Sequence, residues 1–410
     1  MTQTSCRLCG APLSHVFVDL GMSPLSNSYL RGDQLLQMEQ FYPIRALVCD
    51  RCFLVQLKAY ETPERIFSDY AYFSSYSSTW LEHARAFAET AIERFGLDQS
   101  STVVEIASND GYLLQYFARR GIRVLGIEPA RNVASAARAK GIDTVTEFFG
   151  HSTAQRLASE FGADVLIGNN VIAHVPDLND FLAAFAILLK PRGIISVEFP
   201  HLLRLIEQTQ FDTIYHEHFS YFSFSTINDA FAAHDLTIFD VEEIPTHGGS
   251  LRVYARHAAD ETQPASDRVT EMCLREREVG LLDLAVYSSF EERVRKAKRD
   301  ILRFLIDCKE NNKKIVGYGA PAKGNTLLNY CGIGTDFIEY TVDLNPHKQG
   351  HFLPGSHIPI KAPNEIRQTK PDLVFILPWN LKDEIVDQMS YIRDWSGRFV
   401  VSTPEVLVLP

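Results

Sequence analysis

Residues 103–111 read Val-Val-Glu-Ile-Ala-Ser-Asn-Asp-Gly, an apolar β-branched run that breaks into small and polar residues ending on glycine. That change of composition predicts a buried strand, a tight loop and a helix starting at Tyr112. The next apolar run, Val124-Leu125-Gly126-Ile127-Glu128, ends on an acid 23 residues past Glu105. A strand, a small-residue loop, a helix and a second strand closed by an acid make a βαβ nucleotide site. The loop backbone approaches the ligand there, and the acid holds ribose hydroxyls. The loop has no clean Gly-x-Gly-x-x-Gly, which favours adenosylmethionine (SAM) over a dinucleotide. Ala107 and Asn109 stand where a glycine-rich SAM loop has glycines, so the dinucleotide alternative stays open.

The cofactor candidates are therefore Glu105, Ala107, Asn109, Asp110, Gly111, Glu128 and Pro129. Glu147, Phe148 and Phe149 follow a third strand and are placed to embrace adenine, with Phe148 the cofactor candidate among them. Asn169 and Asn170 end the fourth strand, Asp-Val-Leu-Ile-Gly-Asn-Asn (164–170), on the ligand-binding edge of a parallel sheet.

Outward from this core, strand-like runs alternate with helical stretches from about 75 to 257, as in a doubly wound α/β domain. A second α/β unit begins at Lys313-Lys314-Ile315-Val316-Gly317-Tyr318-Gly319 and runs to the end. Between them, Phe290, Val294, Ala297, Ile301, Phe304 and Leu305 recur at mostly helical spacing, and the polar stretch 259–269 before them reads as a hinge. The expected organisation is a turn-rich, cysteine-bearing unit at 1–70, a Rossmann-like α/β domain at 71–257, a helical linker at 258–312 and a second Rossmann-like domain at 313–410.

A chain of 410 residues with 46% hydrophobic and 22% charged residues has ample material for several cores. Its net charge of −11 argues against nucleic acid as the main partner. No run approaches the ~18 apolar residues of a membrane span, and the start, MTQTSCRLCG, has no signal-peptide pattern, so the cytoplasm is the expected compartment.

Cys6-Arg-Leu-Cys9 and Cys49-Asp-Arg-Cys52 form two knuckles separated by 39 residues. Each x-x spacing turns two thiolates toward one ion, and the two pairs complete a closed tetrathiolate site for a structural zinc. The turn-rich segment around them has little core of its own, so metal would supply much of its folding energy. Unrelated buried cysteines or a redox pair are the competing readings. Cys273, Cys308 and Cys331 read as ordinary buried thiols.

Phe211-Asp212-Thr213-Ile214-Tyr215-His216-Glu217-His218-Phe219 concentrates ionisable groups among aromatics after a strand. Such a loop suits general-base chemistry. Methylation of carbon would need it, because carbon beside a carbonyl is nucleophilic only after losing a proton. His216 and His218 would share one face of a strand, with Glu217 on the other. A catalytic metal and a set of satisfied core histidines remain alternatives.

Taken together, the four-cysteine front unit, EIASNDGYLL, FDTIYHEHFSYFS, PTHGGSLRVY and GYGAPAKGNTLLNYCGI closely resemble the nucleotide-sugar C-methyltransferases, whose representatives include the tetronitrose and mycarose C-3 methyltransferases. The resemblance runs along essentially the whole chain. It implies a SAM-dependent enzyme that methylates C-3 of a nucleotide-diphosphate keto-deoxyhexose held between the last two domains. It makes His218 the proton-abstracting base, with Glu217 and Tyr215 beside it, His174 and Asn170 as active-site neighbours, and Tyr72 near the transferring methyl. Tyr215, Tyr72 or His174 would donate to the enolate oxygen. His216 departs from relatives that carry Asp and receives no role. In the C-terminal unit, Tyr318, Gly319, Ala320, Lys323 and Asn325 surround a strand-to-helix turn suited to diphosphate. A second dinucleotide site using Asp343, or a purely structural unit, is the alternative there. Heteroatom methylation of a small metabolite and a non-catalytic binding role stay open, as does the choice between monomer and dimer.

Overall fold

In the computed structural model, residues 5–67, 74–76 and 78–410 are described. Three sheets organise them. In chain order the strands are β1 (His15–Ser23), β2 (Tyr42–Val48), β3 (Val55–Leu57), β4 (Thr102–Ile106), β5 (Arg123–Ile127), β6 (Thr144–Val145), β7 (Ala163–Asn169), β8 (Leu189–Pro200), β9 (Ser220–Tyr221), β10 (Leu236–Ile244) and β11 (Ser250–His257). They continue as β12 (Ile315–Tyr318), β13 (Thr341–Val342), β14 (Ile360–Lys361), β15 (Leu373–Ile376), β16 (Arg398–Val401) and β17 (Leu407–Leu409).

The middle sheet runs β10-β11-β8-β7-β4-β5-β6, parallel except for the β10–β11 hairpin. β4 is buried along its whole length, as a central parallel strand must be. Its alternation divides two cores. Val104 and Ile106 face Phe181 and Phe185, while Val103 faces Phe87 and Phe117. The chain winds from β4 outward to β6, then returns to β7 on the other side. The loops after β4 and β7 therefore diverge around a crevice, where α/β sheets bind ligands.

The C-terminal sheet repeats the device in the order β14-β13-β12-β15-β16-β17, with only β17 antiparallel. Its crevice lies between the loops after β12 and β15. The N-terminal sheet is β1-β2-β3-β9, and its last strand is donated by the middle of the chain. This fourth strand ties the cysteine-bearing unit to the loop that carries His218.

The region read as a linker is a structural spine. Helix Leu284–Glu310 buries Phe290, Val294, Ile301 and Leu305 against both β1 and the C-terminal sheet. Phe290 stacks on Phe17 of β1 with ring centroids 4.5 Å apart. The stretch expected to hinge is pinned instead. Ser266 bonds the Phe239 carbonyl through its N–H and Asp240 through its hydroxyl, and Arg256 reaches the Gln263 carbonyl. No helix among the described residues is long and apolar enough to cross a membrane.

Candidate active site

The loop after β4 turns through left-handed backbone at Ala107, Asn109 and Gly111. At Gly111 a Cβ would also lie 2.9 Å from Ile142 Cγ1, so glycine is required on both counts. Both Glu128 oxygens accept from the chain, one from the Asn109 N–H at 2.9 Å and one from the Ala130 N–H at 2.8 Å. The acid at the end of β5 thus shapes the loop. Asp110 is paired with Lys140 at 2.8 Å. Burial pushes the Glu105 carboxyl well above the usual range. Pro129 is the single residue between Glu128 and Ala130.

Across the crevice, Asn170 is also left-handed, and both polar atoms of its side chain are buried without a hydrogen-bond partner among the described residues, as is Asn169 Oδ1. Unpaired buried amides at a sheet's ligand edge suit a polar ligand. Of the three residues after β6, Phe148 is exposed, but Phe149 turns into the core against Phe181 and Phe185, and Glu147 pairs with Arg156. Only Phe148 is left to meet an adenine. Tyr72 lies outside the described residues.

The loop 211–219 sits between the two crevices. It is a turn rather than a strand, closed by the His218 N–H donating to the Tyr215 carbonyl at 2.9 Å, so the period of two expected for His216 and His218 does not hold. His216 turns away to the Tyr42 carbonyl at 3.3 Å. His218 Nδ1 lies 3.0 Å from the Thr213 carbonyl, which can only accept, so Nδ1 carries the proton. The lone pair on Nε2 then accepts from the Tyr215 hydroxyl at 2.9 Å. The His174 ring stands edge-on to His218 with centroids 4.7 Å apart. Burial, reinforced by His174, holds His218 well below the ordinary imidazole range, and burial pushes His174 down to about 4. Both rings are neutral at pH 7.

Glu217 does not orient the His218 ring, because the Thr213 carbonyl already does. Its Oε1 accepts instead from Asn27 Nδ2 at 2.7 Å, and burial pushes the carboxyl up to about 7. Asp212 accepts from the Trp379 indole at 2.7 Å and is pushed up to about 6 by burial. His247, left-handed just before Gly248 and Gly249, has its ring centroid 5.4 Å from that of Trp80. Asn27 and Trp379 lay in no motif and His247, within PTHGGSLRVY, was given no role; the three come from segments far apart in sequence, so spacing rules had no purchase on them.

In the C-terminal crevice, Asp343 at the end of β13 accepts the Ala320 N–H at 2.8 Å, the same loop-shaping role as Glu128. Gly319 is left-handed and packs on Pro378. Lys323 donates to Asn380 at 2.7 Å and lies 4.5 Å from the Trp379 ring centroid; burial lowers its ammonium to about 8. A diphosphate at this turn would draw that ammonium from Asn380. Asn325 is fully buried with both amide atoms unpaired, and Tyr318 is buried beside it on β12.

The ligand sulfurs of Cys6, Cys9, Cys49 and Cys52 all lie within 4.8 Å of one another. Tetrahedral Zn–S bonds of ~2.3 Å set sulfurs ~3.8 Å apart, so the cluster fits that ion. Gln56 donates to Cys6 Sγ at 3.1 Å and the Arg51 N–H to Cys49 Sγ at 3.4 Å, bonds that suit thiolates. Arg7, between the first two cysteines, reaches the Pro176 carbonyl at 3.1 Å and the Leu57 carbonyl. Cys331 is buried as expected, whereas Cys273 and Cys308 are half-buried.

Comparison with known proteins bears on these features. Family models described as "Putative zinc binding domain", "Methyltransferase domain" and "C-methyltransferase C-terminal domain" match residues 6–67, 80–241 and 245–404. The chain is 37% identical to the C-methyltransferase NovU of Streptomyces niveus over 98% of its own length and 96% of that protein's. A ubiquinone biosynthesis O-methyltransferase of Caulobacter vibrioides is 29% identical over 32% of this chain and 61% of its own. Among solved structures, magnesium protoporphyrin IX methyltransferase of Synechocystis PCC 6803 with bound SAM aligns at 14% identity and TM-score 0.33, over 43% of this chain and 78% of that one. With identity to NovU sustained from end to end, the chain belongs to the SAM-dependent C-methyltransferase family.

Proposed function

We propose that the chain methylates carbon in a nucleotide-diphosphate 4-keto-6-deoxyhexose, at C-3 beside the ketone. The observation that carries this reading is the Tyr215–His218 hydrogen bond, with Nδ1 of His218 held by the Thr213 carbonyl. That geometry leaves a neutral imidazole whose one basic nitrogen is already bonded to a phenol. A heteroatom acceptor already carries a lone pair and needs much less help from a base.

In this reading the C-3 proton passes to the Tyr215 oxygen as the phenol proton moves to His218 Nε2. The electron pair of the broken C–H bond delocalises onto the ketone oxygen as an enolate. A preplaced donor is most effective at that oxygen, and Tyr72 is proposed for it, because the N–H of neutral His174 is already given to the Glu217 backbone. When bound, SAM supplies an electrophilic methyl: the enolate carbon forms the new C–C bond as the methyl–sulfur bond breaks toward sulfur. Glu105, Asn109, Asp110, Gly111, Glu128, Phe148, Asn169 and Asn170 are the residues proposed to hold it. Tyr318, Gly319, Ala320, Lys323 and Asn325 are proposed to hold the nucleotide-sugar, with Tyr72 near the methyl.

We further take the four cysteines to bind one structural zinc, whose closed thiolate shell would keep it out of the chemistry. The cytoplasm is the proposed compartment. The test is to supply methyl-¹³C SAM and the keto-sugar nucleotide and to locate the label. A ¹³C methyl bonded to C-3 supports the reading; a label on oxygen or nitrogen refutes it.

A further inference from the structure

The loop 211–219 meets the N-terminal unit at a polar point that the chemistry above does not use. Asn27, four residues past β1, donates from Nδ2 to Glu217 Oε1 at 2.7 Å. Its Oδ1 accepts from the Tyr29 hydroxyl at 3.1 Å, and that hydroxyl also reaches the Ala320 carbonyl at 2.7 Å. Lys348 donates to the same carbonyl at 2.9 Å and hydrogen-bonds the Tyr29 oxygen, with Asp343 3.7 Å behind it. With Glu217 ionised the two ends fix the direction, because an ammonium only donates and a carboxylate only accepts. Lys348 donates to Tyr29, Asn27 donates to Glu217, and the single Tyr29 proton is shared between Asn27 Oδ1 and the Ala320 carbonyl. Three units of the fold each supply a link.

This direction has a chemical consequence. With Asn27 Nδ2 on Oε1, that oxygen acts as an acceptor, and in this arrangement a proton on Glu217 sits on Oε2. The other ionisable neighbours do not contest this: His216 faces the Tyr42 carbonyl, His218 faces Thr213 and Tyr215, and His174 meets the Glu217 backbone. Lys348 is the charge that acts on the carboxyl.

We propose that Asn27 is a positioning residue of the active site, holding Glu217 in one orientation and, through Tyr29, coupling its protonation to the Lys348 ammonium. The N-terminal unit is therefore part of the acid–base machinery rather than a separate metal-stabilised appendage. This inference rests on the reading that Glu217 serves the carbon-acid site. Burial brings the Glu217 carboxyl to about 7, with Asn27 and Lys348 both pulling it down, so loss of either should raise it.

The experiment is an infrared titration of the Glu217 carboxyl in the full-length, metal-replete protein labelled with ¹³C-glutamate, without substrate. The band is identified by its loss in Glu217→Gln. Asn27→Asp, which faces the carboxyl with another acid, should raise the midpoint by one pH unit or more, a tenfold change in proton affinity. Lys348→Met, a substitution in the C-terminal unit, should raise it as well, and Asn27→Ser, which keeps a donor, should fall between. The ionisation in the kcat profile that Glu217→Gln removes should move with the infrared midpoint. Unchanged midpoints in both Asn27→Asp and Lys348→Met overturn the proposal. Because the titration needs no substrate, failure of the carbon-acid reading shows separately, as shifted midpoints in a protein that does not methylate the keto-sugar.

Discussion

At the scale of single residues, His218 and Glu217 have opposite problems. Burial keeps the imidazole from gaining a charge and the carboxyl from keeping one. Removing the base gives the first prediction: His218→Ala should lose ~10²–10⁴ in methylation rate, the usual cost of a general base, while SAM affinity measured by calorimetry stays near wild type. Tyr215→Phe should fall in the same range if the proton travels through the phenol, and retained turnover in that variant would remove the relay. Glu217 gives a pH prediction with a definite sign. Its folded pKa of about 7 lies above an unfolded glutamate's ordinary value, so the wild type loses stability as pH rises between the two. Glu217→Gln does not titrate. It should match the wild type near pH 4.5 and exceed it progressively up to pH 7 and beyond, by at most about 3 kcal/mol. Melting temperatures of both proteins across this range test it; parallel curves would mean that the carboxyl is not held against its charge.

Elements position these side chains, and here the sequence was informative to different degrees. β4, β5, β7 and β8 were legible because central parallel strands are continuous β-branched runs, and Glu128 because the βαβ unit spaces it. Phe149 was misjudged as a ligand contact, since an aromatic after a strand reads alike whether it faces a cofactor or packs on Phe185. The face shared by His216 and His218 failed because a turn interrupts the strand period. Asn27 and Tyr29 were illegible: Ser-Asn-Ser-Tyr after β1 has the composition of any loop, and its partner lies 190 residues away. At this scale the SAM loop is testable. Gly111→Ala combines a left-handed backbone with a Cβ 2.9 Å from Ile142, and should destabilise the fold by ~1–3 kcal/mol and weaken SAM binding. Glu128→Gln should weaken SAM as well, because one of its two loop-shaping acceptors becomes a donor facing an N–H. Calorimetric affinity equal to wild type in both variants would move the cofactor elsewhere.

In the whole molecule, two topological crevices face a loop that is anchored from a third side. Trp379 holds Asp212 from the C-terminal sheet, β9 carries the end of the loop into the N-terminal sheet, and Arg7 runs from a cysteine knuckle to the Pro176 carbonyl near His174. Stripping zinc should therefore cost activity as well as stability. Chelation is expected to lower the melting temperature and abolish turnover together, with both restored by zinc, whereas full activity in a metal-free protein would separate the cysteine unit from the site. The central claim is that carbon is activated by proton removal before any methyl moves. It is tested most directly by incubating the enzyme with the keto-sugar nucleotide in D₂O without SAM and following the C-3 proton by NMR. The expected result is enzyme-dependent loss of that signal, absent in His218→Ala. A C-3 proton that persists through many turnovers' worth of time, in an enzyme that methylates once SAM is added, would contradict the claim.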